Sequence, residues 1–337
     1  MNFLRSRVDK KTYHLWQKDL CPDTPSDILG NPSITSTLET YVISENALPN
    51  MILSGPSGCG KSSLAKAVAK KYLGDSYPKQ CFTVYGSVNR GKDIITGRSE
   101  LKKPSENQLS SSNIVDFIRK KSDSDKPKIV IIYDIDGMQP DTHTILSRTI
   151  SKYVDKARFI LTTDDIYGLH ESLQSQCTSF KLSCLDNDEI DDLISKVSKK
   201  KNMKIPASLS KVIRMSSSGD MKYVVNTLQV MNCSEKCNLE HFYKIFSIPS
   251  FDLIERLLLY CQNKKLNQAY KIVYDLLERG YENTDILDMM FKYVINIDVD
   301  KFSEQFQQKA IEKIADCLSL EHVTKIQLYH LLHQMAS

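Results

Sequence analysis

Residues 55–62 read GPSGCGKS, a spacing of glycines, lysine and serine suited to holding phosphates. Gly55, Gly58 and Gly60 let backbone N–H groups turn inward, and Pro56, Ser57 and Cys59 fill the loop between them. Lys61 is expected to reach the β- and γ-phosphates. The Ser62 hydroxyl is expected to ligate Mg²⁺, and Ser63 follows in the first helical turn. A glycine turn before an ordinary helix is the bland alternative. The flanking pattern disfavours it, because MILS (51–54) reads as a strand and SLAKAVAKKYL (63–73) as a helix. The implied ligands are ATP and Mg²⁺.

A second stretch, KIVIIYDID (128–136), has the form of a buried parallel strand that ends in acids. Acids at such a strand's end hold a metal or activate water. Here Tyr133 precedes them, in the place where the metal-coordinating acid should stand. Asp134 is the candidate catalytic acid, and the tyrosine puts turnover in question.

The elements that would position these groups alternate between residues 50 and 182. After MILS come CFTVY (81–85), IVIIY (129–133), RFILTT (158–163) and TSFKL (178–182), with THTILSRTISKY (142–153) as a helix. This order predicts an α/β fold with a parallel sheet flanked by helices. The polar, serine-rich GRSELKKPSENQLSSSN (97–113) reads as a mobile surface insertion. From residue 183 the strands stop. DNDEIDDLISKVSKKK (186–201) puts Ile190, Leu193, Ile194 and Val197 on one helical face, with Asp186 or Asn187 as cap. Two or three short helices are expected to about Ile245. Beyond Pro249 only Gly280 interrupts the helical pattern, which predicts an all-α bundle of about five helices.

Composition narrows the class. The chain has 337 residues, of which 41% are hydrophobic and 26% charged, and its net charge is +4. Two or three globular domains are expected, and nucleic-acid contact would need a local patch. No apolar run approaches the ~20 residues that span a bilayer, and the basic N-terminus lacks a signal-peptide core. An intracellular protein with no membrane contact is expected. The nine cysteines are scattered and lack paired zinc spacing, so they read as reduced structural thiols.

In ordered series the chain resembles the small subunits of replication factor C, the AAA+ ATPases that load sliding clamps onto DNA. WQKDLCPDTPSDILGN (16–31) lines up with that family's opening W-x-x-K-Y-R-P leading to G-N; Trp16, Pro22, Gly30 and Asn31 agree, while Leu20-Cys21 replaces the adenine-flanking Tyr-Arg pair. LPNMILSGPSGCGKSSLAKAVAK (48–70), ARFILTT (157–163), SLQSQC (172–177) and GDMKYVVNTLQ (219–229) also match. The resemblance implies an AAA+ module (14–182), a helical lid (183–246) and a helical collar (247–337) that joins a ring of five. It adds Asn31 and Lys222 to the nucleotide contacts. It also gives Arg90 and Arg148 as contacts to DNA phosphates; a solvated surface arginine is the plain alternative for each.

Where the chain departs from the family, it departs at the chemistry. The family's D-E-A-D aligns with Tyr133-Asp134-Ile135-Asp136. Asp164 replaces the sensor-1 asparagine, Gln176 replaces the arginine of S-R-C that reaches a neighbour's ATP, and Lys222 replaces the sensor-2 arginine. The resemblance thus implies a clamp-loader subunit that binds nucleotide, hydrolyses it poorly and does not activate its neighbour. Its implied partners are the other subunits of a hetero-pentamer, a sliding clamp and primer–template DNA. Its implied place is the nucleus in a eukaryote, otherwise the cytoplasm or a viral replication site. Three rivals are an active ATPase relying on Asp134, a regulatory ring member in checkpoint or repair clamp loading, and an unrelated phosphate-loop kinase. For the kinase no substrate lid is found.

Overall fold

The computed structural model describes residues 15–44, 48–88, 91, 93–96, 113–121, 126–233, 237–296, 301–320 and 322–336. Arg90, the basic N-terminus and nearly all of the serine-rich 97–113 segment lie outside them.

Five strands form one parallel sheet: β1 (Met51–Ser54), β2 (Cys81–Tyr85), β3 (Lys128–Tyr133), β4 (Ala157–Thr163) and β5 (Thr178–Lys181), in the order β2-β3-β4-β1-β5. Every residue of β1 and β3 is buried. A strand covered on both faces must be apolar throughout, which is why these segments read as continuous aliphatic runs. Helices are threaded between the strands: α1 (Trp16–Asp19), α2 (Pro32–Ile43), α3 (Lys61–Leu73), α4 (Tyr77–Gln80), α5 (Asp93–Thr96), α6 (Ile114–Arg119), α7 (Pro140–Lys152) and α8 (Glu171–Gln174). On one face of the sheet, Leu38 of α2 and Leu64, Val68 and Tyr72 of α3 pack on Met51, Leu53, Ile131 and Ile160. On the other, Phe117 of α6 and Leu146 and Ile150 of α7 cover Ile52, Val130, Ile132 and Phe159.

The strands observed agree with those expected to within a residue at either end, and one of the differences is instructive. β3 begins at Lys128, a lysine that is buried. Its ammonium donates to the carbonyl of Phe117 at 2.6 Å, near the end of α6, and lies 4.9 Å from the Phe117 ring centre. A buried lysine is tolerated here because a helix C-terminus supplies carbonyls and negative potential.

Four helices follow the sheet: α9 (Asn187–Lys201), α10 (Ala207–Ser217), α11 (Met221–Cys233) and α12 (Leu239–Phe246). Asp186 and Glu189 form a capping box at the start of α9. Asp186 Oδ1 accepts from the Glu189 N–H at 2.8 Å, and Glu189 Oε2 accepts from the Asp186 N–H at 3.0 Å. Five more helices complete the chain: α13 (Phe251–Gln262), α14 (Leu266–Glu278), α15 (Asn283–Asn296), α16 (Glu304–Leu318) and α17 (Lys325–Ala336). Phe251, Ile254, Leu258 and Cys261 recur at helical spacing on the buried side of α13, and Leu328, Leu331, Leu332 and Met335 do so on α17. The fold is therefore a parallel five-strand α/β module followed by a helical lid and an all-α C-terminal domain.

The chain divides into two compact units, residues 1–193 with 219–223, and residues 194–218 with 224–337. Among the described residues no helix is long and apolar enough to cross a membrane.

Candidate nucleotide site

The phosphate loop leaves the C-terminal end of β1, where the chain crosses from the centre of the sheet to α3. Ligand sites gather at such points because the strand order leaves a crevice there. Two glycines set the loop's shape. Gly55 has φ +149°, and a Cβ on it would come within 2.3 Å of the Leu182 carbonyl oxygen. Gly58 has φ +78°, and its Cβ would fall 2.0 Å from Asp220 Oδ1. A side chain at Gly55 would clash with backbone, and one at Gly58 would strain a left-handed residue and push the Asp220 carboxylate aside, so glycine leaves the backbone bare for a ligand to approach. Gly60 leads into α3, whose first turn opens with the Leu64 N–H donating to the Gly60 carbonyl at 2.9 Å. A bare loop running into a helix N-terminus fits the phosphates of a nucleotide.

Lys61 is the first residue of α3 and is only 6% exposed. Its Nζ donates to the carbonyls of Gly55 at 2.6 Å and Pro56 at 2.7 Å, and pairs with Asp164 Oδ1 at 2.7 Å. Asp164 directly follows β4, and β4 pairs with β1. The Gly55 N–H also donates to the Thr163 carbonyl at 3.3 Å, so the sheet itself brings the carboxylate to the loop. Ser62 and Ser63 are half-buried beside Lys61, whereas Pro56 and Ser57 are exposed. Cys59 is fully buried, and desolvation pushes its thiol above the usual range.

Tyr133 ends β3 on the α3 side of the sheet. It is buried with Cys59 and Leu64 in one cluster, and its ring centre lies 5.1 Å from that of Tyr85. Burial pushes its phenol far above its ordinary range, so the group stays neutral. Asp134 follows in the left-handed region at φ +51° and is exposed; its N–H donates to Thr162 Oγ1 at 3.0 Å. Among the described residues no group of three or more His, Cys, Asp or Glu is placed to hold a metal ion.

Asn31 takes up a role that sequence alone did not indicate. Its Nδ2 donates to the Ser183 carbonyl at 3.1 Å, while its Oδ1 accepts from the Ser183 N–H at 2.9 Å and from Ser183 Oγ at 3.0 Å. The amide thus staples the start of α2 to the segment after β5. Lys222 is exposed in the first turn of α11. That helix start sits against the loop, because the Met221 N–H donates to the Gly58 carbonyl at 3.1 Å.

Asp220 was not singled out from sequence. It caps α11, accepting from the N–H groups of Lys222 at 2.7 Å and Tyr223 at 3.0 Å, and its carboxylate lies over Gly58. The available signal was an aspartate placed directly before a helix. Gln176 lies just beyond α8, half-buried, and its Oε1 has no hydrogen-bond partner among the described residues. Arg148 is exposed on α7 between buried Ser147 and Thr149. Neither belongs to the phosphate loop's surroundings.

Residues 51–183 match the model of the ATPase family associated with various cellular activities (AAA), and residues 249–333 match the replication factor C C-terminal domain. Over 305 residues the chain is 29% identical to the replication factor C small subunit of Methanococcus maripaludis, covering 90% of this chain and 91% of that one. It is 27% identical to the probable replication factor C subunit 5 of Dictyostelium discoideum, over 89% and 84% of the two chains. In sequence the chain is similar to replication factor C small subunits along nearly its whole length, and residues 51–183 form an AAA module. ATP binding accompanies the AAA module. Among solved structures, the Thermotoga maritima RuvB Holliday junction branch migration motor shares the fold, with TM-score 0.52 and 14% identity over 86% of this chain and 97% of that one.

Proposed function

We propose that this chain is a small subunit of a clamp loader, one that binds ATP at residues 55–63 and contributes little hydrolysis of its own. It would work in a hetero-pentamer with other loader subunits, acting on a sliding clamp and primer–template DNA. The observation that carries the reading is Tyr133: a neutral, buried phenol ends β3 beside an intact phosphate loop. Phosphoryl transfer is catalysed mainly by positioning and charge stabilisation, and a bound Mg²⁺ supplies much of that charge.

In this site the Ser62 hydroxyl would be the protein's ligand to Mg²⁺, with water and phosphate oxygens completing the shell. Tyr133 offers no carboxylate to hold the ion. Asp134 would be the water-orienting acid, yet it is one methylene shorter than glutamate. A displacement of about 1 Å can cost on the order of 10²-fold in rate. Exposed Arg148 would meet DNA phosphates, and Arg90 has the same proposed role from outside the described residues. Lys222 would approach the phosphates from the start of α11, and Asn31 would fix the wall behind them. Capture of partner subunits from the native source, with turnover measured before and after mixing, tests the reading. Co-purification of a clamp and loader subunits supports it, while brisk ATP hydrolysis by the isolated chain contradicts the low-turnover part.

A further inference from the structure

We propose that Asp164 makes this phosphate loop select a nucleoside diphosphate over a triphosphate. This rests on the nucleotide-binding reading above and adds a preference to it. An ammonium has three protons to donate. Those of Lys61 face three acceptors: the Gly55 carbonyl at 2.6 Å, the Pro56 carbonyl at 2.7 Å and Asp164 Oδ1 at 2.7 Å. The lysine is 6% exposed and the aspartate side chain 57% exposed, so the cation is fixed while its anionic partner faces outward. An incoming phosphate must therefore compete with a carboxylate already on the lysine.

The competition does not fall evenly on the phosphates. A β-phosphate shares Lys61 but is held mainly by backbone N–H groups and the N-terminus of α3, which Asp164 leaves untouched. A γ-phosphate depends on Lys61 and lies farther out, toward the end of β4 where Asp164 stands. It must either displace the carboxylate or sit beside it as a second anion sharing one cation. Like charges brought together in this way cost binding. The other carboxylate at the loop, Asp220, does not compete for Lys61 in this way, because two N–H groups at the start of α11 engage it. Asp164 has Lys61 as its ionic partner, and the β1–β4 pairing holds it there.

The test is titration calorimetry of the full chain with ADP and with a non-hydrolysable ATP analogue, each with Mg²⁺ and with a chelator. Wild type is expected to bind ADP at least about tenfold tighter than the analogue. Asp164→Asn should bring the two affinities together, through a gain for the triphosphate and not a loss for the diphosphate. Asp164→Glu keeps the charge and should keep the preference. Equal affinities in wild type would overturn the proposal and leave nucleotide binding intact. So would triphosphate binding that weakens in Asp164→Asn only when Mg²⁺ is present, since the carboxylate would then be a metal ligand. Binding of neither nucleotide would remove the underlying reading and the proposal with it.

Discussion

Tyr133 and Asp134 occupy successive positions with opposite environments, and that contrast sets expectations for the site. The tyrosine is buried on the α3 side of the sheet, and the aspartate is exposed with its backbone tied to Thr162. The resembling family carries an aspartate at the first of these positions, and a buried phenol offers no such charge. Asp134→Ala should therefore change the assembled complex's ATPase rate by less than about twofold. The triple change Tyr133→Asp, Asp134→Glu, Asp164→Asn should raise it, provided a neighbouring subunit supplies an arginine. A large loss in Asp134→Ala with assembly intact would show that β3 is a working catalytic strand. The thiols give a second expectation at this scale. Burial pushes Cys81, Cys177 and Cys261 up to about 12, so at pH 8 only about one in 10⁴ is ionised. Raising the pH toward 12 raises that fraction, and lowering it reduces the fraction tenfold per pH unit. Iodoacetamide at pH 8 should label exposed Cys233 in the native protein and reach these three only after denaturation. Peptide mapping by mass spectrometry reads the difference.

The helix α11 shows how an element can serve the site through its end alone. Its N-terminus is capped by Asp220 and docked on the Gly58 carbonyl, so one carboxylate orders both the helix start and the phosphate loop's flank. Asp220→Ala should lower stability by about 1 kcal/mol through the lost cap, while Asp220→Asn, which still caps, should lose far less. Denaturant unfolding with tryptophan fluorescence follows the change, and equal loss in both variants would point to charge instead of capping. The five strands, α3, α7, α9 and the C-terminal helices were legible in the sequence, whereas α2 and α6 were not. Buried parallel strands must be aliphatic throughout, and α13 and α17 must repeat apolar residues at helical spacing. The site was legible only in part. GPSGCGKS is a local motif and could be read from the chain, but the Lys61–Asp164 pair exists only because β1 and β4 lie side by side. Asn31 enters the site through the resemblance alone, and its contact with Ser183, 152 residues away in the chain, shows only in the fold. The burial of a lysine at the start of β3 is hidden from the sequence for a similar reason. Only the end of α6, brought beside it by folding, gives a buried lysine its acceptors.

At the scale of the whole molecule, exposed Arg148 and half-buried Gln176 each bear on the proposed assembly. Arg148 projects from α7 while Leu146, Ser147, Thr149 and Ile150 are buried, so the helix offers its charge to a partner at little cost in stability. Arg148→Ala should weaken DNA binding by the assembled complex without changing sequence preference, and should reduce the salt slope by about one unit on duplex DNA. An unchanged slope would leave it a solvated surface arginine. Gln176 carries the stronger expectation. It stands between α8 and β5 with an orphaned side-chain carbonyl among the described residues, and at this position the resembling family has an arginine that reaches a neighbour's ATP. A neutral amide cannot stabilise the charge that develops on a transferring phosphoryl group, whereas an arginine finger is worth roughly 10³–10⁵ in rate. Gln176→Arg should therefore raise steady-state hydrolysis in the assembled complex, at the one site this subunit abuts. Gln176→Lys brings the charge without the planar fork and should give a smaller gain. Partner subunits carrying a lysine-to-alanine change in their own phosphate loops would identify the activated site, because only one such partner should abolish the gain. Rates unchanged by Gln176→Arg, in a complex shown to assemble, would take this residue out of the neighbour's active site.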